Sequence, residues 1–123
     1  MIPQQPYSIN LTPKFAPLEL IDVEALARVC QEKWFNQTLC CVNDCVVRLG
    51  VLHGEFHWHQ HDREDEFFYV VTGCLLVDLA GRSVELHPQQ GLTVPRGVRH
   101  RTRALERTVV LMIEGAGVVP TGD

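Results

Sequence analysis

The rhythm of hydrophobic and polar positions changes at Trp34. Upstream, VEALARVCQEKW places Val23, Leu26, Ala27 and Cys30 at helical spacing behind Asp22, a good N-capping residue, and predicts one short helix. Residues 1 to about 17 carry Pro3, Pro6, Pro13 and Pro17, which fix φ and remove backbone donors, so an extended arm is expected there. Downstream, short runs rich in Val, Leu, Thr and aromatic residues predict strands over 38–42, 45–53, 55–61, 66–72, 74–79, 83–87, 91–94, 98–103 and 107–113. Asn43-Asp44, Thr72-Gly73, Ala80-Gly81-Arg82 and Pro95-Arg96-Gly97 supply the turns. So many short strands predict an all-β sandwich or barrel. The expected division is an arm and helix over 1–37, a barrel over 38–114 and a Gly/Pro-rich tail over 115–123 lying along the surface.

Composition narrows the classes of function. At 123 residues, 46% hydrophobic and 21% charged, the chain is expected to be one globular domain without a disordered tract. Its apolar runs fall far short of the roughly 20 residues needed to cross a bilayer. The first residues lack the charged start and apolar stretch of a secretory signal, so a cytoplasmic location is expected, with no membrane partner. A net charge of −4 argues against nucleic acid as a main partner. Five cysteines, Cys30, Cys40, Cys41, Cys45 and Cys74, form an odd set without a CxxC pair and are expected to be reduced and packed.

The candidate chemistry is concentrated in HWHQHDREDEFFYVVTG at 57–73. On an extended strand His57, His59 and His61 share one face, while Trp58 and Gln60 take the other. Glu66 opens the next strand with Phe68 and Val70 on its own face, delivering a carboxylate to the same interior. PRGVRH at 95–100 sets His100 just beyond a tight turn as a further imidazole. Neutral imidazoles with one carboxylate suit a divalent transition metal such as Fe, Mn, Ni, Cu or Zn.

His59-x-His61-x4-Glu66-x6-Gly73 resembles the first cupin motif, and Pro95-x-Gly97-x2-His100 resembles the core of the second. GEFHWHQH at 54–61 with Asp65-Glu66 is similar to small single-domain cupins, and the resemblance spans roughly 46–114. It implies a double-stranded β-helix, the cupin or jelly-roll barrel, binding one metal per chain through His59, His61, Glu66 and His100. The register His57-x-His59-x4-Glu64 has the same spacing but puts Val71 where the motif has glycine, so Glu66 is favoured. Four residues separate Gly54 from His59 where the longer pattern has five. Gln89 stands at a glycine position with Gly91 two residues later, which predicts a shifted bend, and Ala104 replaces a frequent asparagine.

These residues support several functions. The first is a metal-dependent enzyme acting on a small organic molecule, of oxygenase or isomerase/lyase type. His57, a spare imidazole on the ligand face, is its candidate catalytic acid/base. The second is a non-catalytic small-molecule-binding or sensor barrel, and the third a purely structural one. Phe68, Val70, Leu76, Val94 and Leu111 are candidate cavity-lining residues. Phe67, Tyr69 and Val71 face outward and need cover, from the arm and helix or from a second subunit, so a homodimer is expected. Arg99, Arg101 and Arg103 are expected to form an outward, salt-bridged stripe, with Arg96 at the barrel mouth.

Overall fold

In a computed structural model the chain is described over residues 7–123, so Pro3 and Pro6 of the expected arm lie outside the described residues. The elements in order are β1 (Ser8–Asn10), α1 (Val23–Val29), β2 (Trp34–Val42), β3 (Cys45–Glu55), β4 (Glu66–Thr72), β5 (Leu75–Leu79), β6 (Arg82–Leu86), β7 (Gly91–Val94) and β8 (Arg101–Gly115). The arm is not wholly irregular, because Ser8–Asn10 pairs in parallel with β2. Asp22 accepts the Ala25 amide at 3.0 Å and starts α1, as its position predicts. Cys30 is already extended, so the helix stops short of the full periodic stretch. Arg107 donates to the Ala27 and Cys30 carbonyls and satisfies that end.

β8 organises the sheet. One edge runs antiparallel to β3 from Gly115 to Arg103; the other pairs with β4 over 109–114 and with β5 over 101–103. A single strand therefore replaces the two expected over 98–103 and 107–113, because β3 supplies partners across much of the interval. The expected strand 55–61 is also corrected. Beyond Glu55, only an isolated bridge between His59 and His100 remains.

Strand parity builds two cores. Trp34, Leu52, Phe68, Val70, Val110 and Met112 belong to the inner cluster. Leu39, Leu49, Val51 and Val109 face out beneath Ala27 of α1, with Phe15, Leu26, Val71 and Leu111 packed around them. The arm and helix thus cover part of the outward apolar face. Phe68, Val70 and Val94 are inside as expected; Leu111 instead packs under the helix. Leu76 pairs with Glu85 and Arg103 and lines an outer groove, since Leu75 and Val77 hold the inward parity of β5.

Two glycine-related features bear on the loops that carry the site. Gly73 has φ +89°, and a Cβ there would lie 2.8 Å from the Thr108 Cα, so the turn after β4 demands glycine. Gln89 itself adopts φ +70° while Gly91 begins β7, so the bend is not shifted. Its amide donates to the Val70 carbonyl at 2.8 Å, which holds the left-handed residue in place.

Candidate metal centre

The β-bridge after β3 brings two distant loops together. The His59 amide donates to the His100 carbonyl at 2.9 Å, and the His100 amide returns the bond at 2.8 Å. The Gly97 amide adds a bond to the His61 carbonyl at 2.8 Å. Glu66, the first residue of β4, enters between them. Its Oε1 lies 3.4 Å from Nε2 of both His61 and His100. The ring centroids of His59 and His100 are 4.4 Å apart, and those of His59 and His61 5.1 Å. His59, His61, Glu66 and His100 each offer a ligand atom within 4.8 Å of the others.

Backbone carbonyls orient two of the rings. His59 Nδ1 donates to the His57 carbonyl at 3.0 Å, and His100 Nδ1 to that of Val98 at 3.0 Å. A carbonyl can only accept, so each Nδ1 carries the proton and each Nε2 keeps its lone pair. His61, Glu66 and His100 are 3%, 4% and 1% exposed. Yet both nitrogens of His61, Nε2 of His100 and Oε1 of Glu66 are buried without hydrogen-bond partners. The 3.4 Å separations are ion-pair distances that lack hydrogen-bond alignment. Buried polar atoms left this way are costly, and a shared cation satisfies one nitrogen of His61 together with Nε2 of His100 and Oε1 of Glu66. The donor set therefore fits a divalent transition metal.

Titration behaviour follows from this burial. Burial pushes His59 down to about 4, keeping it neutral. For His61 burial also lowers the pKa, but the Glu66 carboxylate outweighs it and the net direction is up. Burial would raise Glu66; the neighbouring Glu114 carboxyl and the His100 and His61 imidazoles reverse that and hold it below the usual carboxylate range. Glu114 is pushed up to about 10, first by burial and then by the neighbouring Glu66 charge.

Glu114 and Arg48 are the residues that the sequence reading missed. Arg48 Nη1 donates to Glu114 at 2.8 Å and to the Val118 carbonyl at 3.0 Å, while Nε donates to Thr38 Oγ1 at 3.1 Å. A usable signal was parity: Arg48 alternates with Gly50 and Leu52, and Glu114 with Val110 and Met112, all turned inward.

The segment after β8 does not simply lie along the surface. Val118 is buried, and Gly122 sits so close to His59 that a Cβ would come within 2.6 Å of its own Cβ. The Asp62 amide donates to the Asp123 carboxylate at 2.7 Å. His57 is exposed and stands outside the four-residue cluster; its Nε2 donates to the Thr121 carbonyl at 2.6 Å. Beneath this cover lies a cavity of only about 30 Å³, bounded by Trp34, Phe56, His59, Glu66, Phe68 and Pro120. Glu64 points instead toward Gly115 and Gly117. Arg101 and Arg103 converge on buried Asp78 at 3.0 and 2.7 Å, so two of the three arginines of the expected stripe are salt-bridged, while Arg99 is exposed.

Fold and site together define a small β-barrel with a His/Glu cluster able to bind a metal. The family profile Cupin_2, described as a cupin domain, matches residues 46–114, and the chain belongs to this family. It is 42% identical over 91 residues to the uncharacterised protein YdbB of Bacillus subtilis, covering 73% of this chain and 80% of YdbB. A cupin-2 domain protein from Shewanella frigidimarina superposes with a TM-score of 0.75 at 27% identity, over 78% of this chain and 94% of that one. A shorter stretch of 45 residues is 49% identical to the polyketide synthase CurC of Streptomyces cyaneus, covering 37% of this chain and 29% of CurC.

Proposed function

We propose that the chain is a metal-dependent enzyme acting on a small organic molecule, with His59, His61, Glu66 and His100 as ligands of one divalent transition ion. The observation that carries this reading is the set of buried, partnerless donor atoms converging from two loops and a strand end. Bound there, such an ion supplies Lewis-acid polarisation of a substrate oxygen. The inner wall from Trp34, Phe56 and Phe68 excludes water, and Glu114, held by Arg48, neighbours Glu66 across the β4–β8 ladder. His57 serves as a proton carrier at the rim, once its bond to the Thr121 carbonyl is released. The local identity with a polyketide synthase favours a carbonyl-bearing substrate. Isomerase/lyase and oxygenase chemistry both fit this donor set.

A second reading, a binding or sensor barrel without turnover, is favoured by the small covered cavity. The free cysteines, two of them exposed, favour a reducing and hence cytoplasmic setting. Exposed Leu11, Leu18, Leu20 and Val29 around α1 favour a homodimer, which sedimentation will test.

The deciding experiment is elemental analysis of chain purified without a metal-binding tag, compared with His59→Ala and Glu66→Ala. A transition metal retained by the native chain and lost from both folded variants supports the site. Absence of metal after reconstitution with each candidate ion would sink the metalloenzyme reading. Substrate screening of the loaded chain then separates turnover from binding.

A further inference from the structure

The outer face of the β5–β6 hairpin carries a second cluster of ligand-type side chains. The ladder pairs Leu75 with Leu86 and Leu76 with Glu85, so the two buried leucines turn into the barrel. Continuing that register puts Cys74, just before β5, opposite His87, just after β6. Glu85, two residues before His87, shares the same outward face. Cys74 Sγ approaches Glu85 Oε1 at 3.5 Å, and His87 Nε2 lies 3.8 Å from that same oxygen. One ligand atom from each of the three lies within 4.8 Å of the other two.

The cluster is anchored from below and open above. The Cys74 amide donates to Thr108 Oγ1 at 3.0 Å, and that hydroxyl donates to the Cys74 carbonyl at 3.0 Å, fixing the backbone that presents the thiol. A groove of about 310 Å³ adjoins the three residues, with Leu76, Leu105 and Glu106 along its walls.

We propose that Cys74, Glu85 and His87 form a surface site for a thiophilic divalent ion, with zinc the best match, separate from the barrel centre. Sulfur, nitrogen and oxygen from three side chains are the number and kind of ligands zinc takes when one position stays open to water. The thiolate disfavours magnesium and calcium, which prefer oxygen. Burial first, and then the charges of Glu85 and Glu106, hold the Cys74 thiol above its ordinary range. A cation in the groove reverses that electrostatic bias and releases the thiol proton to solvent on binding. The bound ion ties the start of β5 to the end of β6 across an exposed face.

The test is titration of reduced, metal-free full chain with Co2+, read by the thiolate-to-cobalt charge-transfer absorption. None of the barrel candidates is a cysteine, so this band separates a thiolate site from the barrel centre, and the cysteine variants assign it to the hairpin. It is expected in the native chain and in Glu66→Gln, retained in Cys41→Ser and Cys45→Ser, and lost in Cys74→Ser and His87→Ala. Glu85→Gln is expected to weaken binding by about tenfold or more. Zinc should bleach the band and raise the melting temperature of Glu66→Gln, but not that of Glu66→Gln with His87→Ala. Absence of the band in the folded native chain, or its survival in Cys74→Ser, overturns the proposal.

Discussion

Glu66 and Glu114 are direct partners across the β4–β8 ladder, and both are almost wholly buried. Two carboxylates placed so closely do not both ionise without a compensating cation, so the metal-free pair shares one proton, with Glu66 held low and Glu114 raised. Arg48, bonded to Glu114 at 2.8 Å, balances the remaining charge. The arrangement makes the candidate ligand Glu66 part of a buried polar network.

Breaking that network one member at a time should give unequal losses. Arg48→Met strands the Glu66 charge and is expected to destabilise the metal-free chain by about 3–5 kcal/mol, read from urea unfolding. Glu114→Gln keeps a neutral hydrogen-bonding group of similar shape and is expected to cost under about 1.5 kcal/mol at neutral pH. Equal losses in the two variants would count against the shared proton.

The pH dependence has a definite sign. Glu114 is raised in the folded state, so its contribution is full below the unfolded carboxylate range and is lost as pH rises toward about 10. His61, also raised, acts in the same direction as pH rises through its folded value. His59, lowered to about 4, acts oppositely: stability falls as pH drops from its ordinary 6.5 toward 4. Metal-free chain is therefore expected to lose stability from pH 7 toward 10, by up to about 1.4 kcal/mol per pH unit. The slope should flatten in Glu114→Gln. Denaturant midpoints across this window provide the check.

Backbone conformation predicts opposite outcomes at two turns. Gly73→Ala forces a Cβ against Thr108 backbone at positive φ and is expected to cost at least about 2 kcal/mol. Gln89→Gly relieves a left-handed side-chain-bearing residue and is expected to leave stability unchanged or raise it by about 1 kcal/mol. Thermal melts of the two variants, run side by side, test both.

The cover over the barrel mouth should respond to substitution at Gly122. At φ +95° and against the His59 ring, Gly122→Val is expected to lift the segment, at a cost of about 1–2 kcal/mol. Metal release to a chelator should then be faster than in the native chain. Unchanged release would show that the segment does not limit access.

His57→Ala separates binding from proton transfer. Since His57 stands outside the ligand cluster, metal content is expected to persist, while turnover falls by about 100-fold or more with an altered pH profile. Loss of metal in this variant would instead make His57 part of the centre.

Much of this molecule was legible in the chain. Period-two alternation marked the inner faces of β4 and β7, because a residue's side of a strand depends only on its count along it. The spacing of His59, His61, Glu66 and His100, with the glycine and proline turns, marked the candidate centre and its family. What the chain could not decide was which distant segments meet. Beyond Glu55 the backbone leaves the ladder, so the histidines approach through one bridge to His100 rather than along a strand. Arg48 and Glu114 are far apart in sequence and become partners only because β3 and β8 pair. The covering of His59 by residues 118–123 likewise depends on the closed barrel bringing the end of β8 beside its own mouth. Local periodicity fixes orientation; burial, register and long-range hydrogen bonding decide neighbours, and the chemistry of the site depends on neighbours.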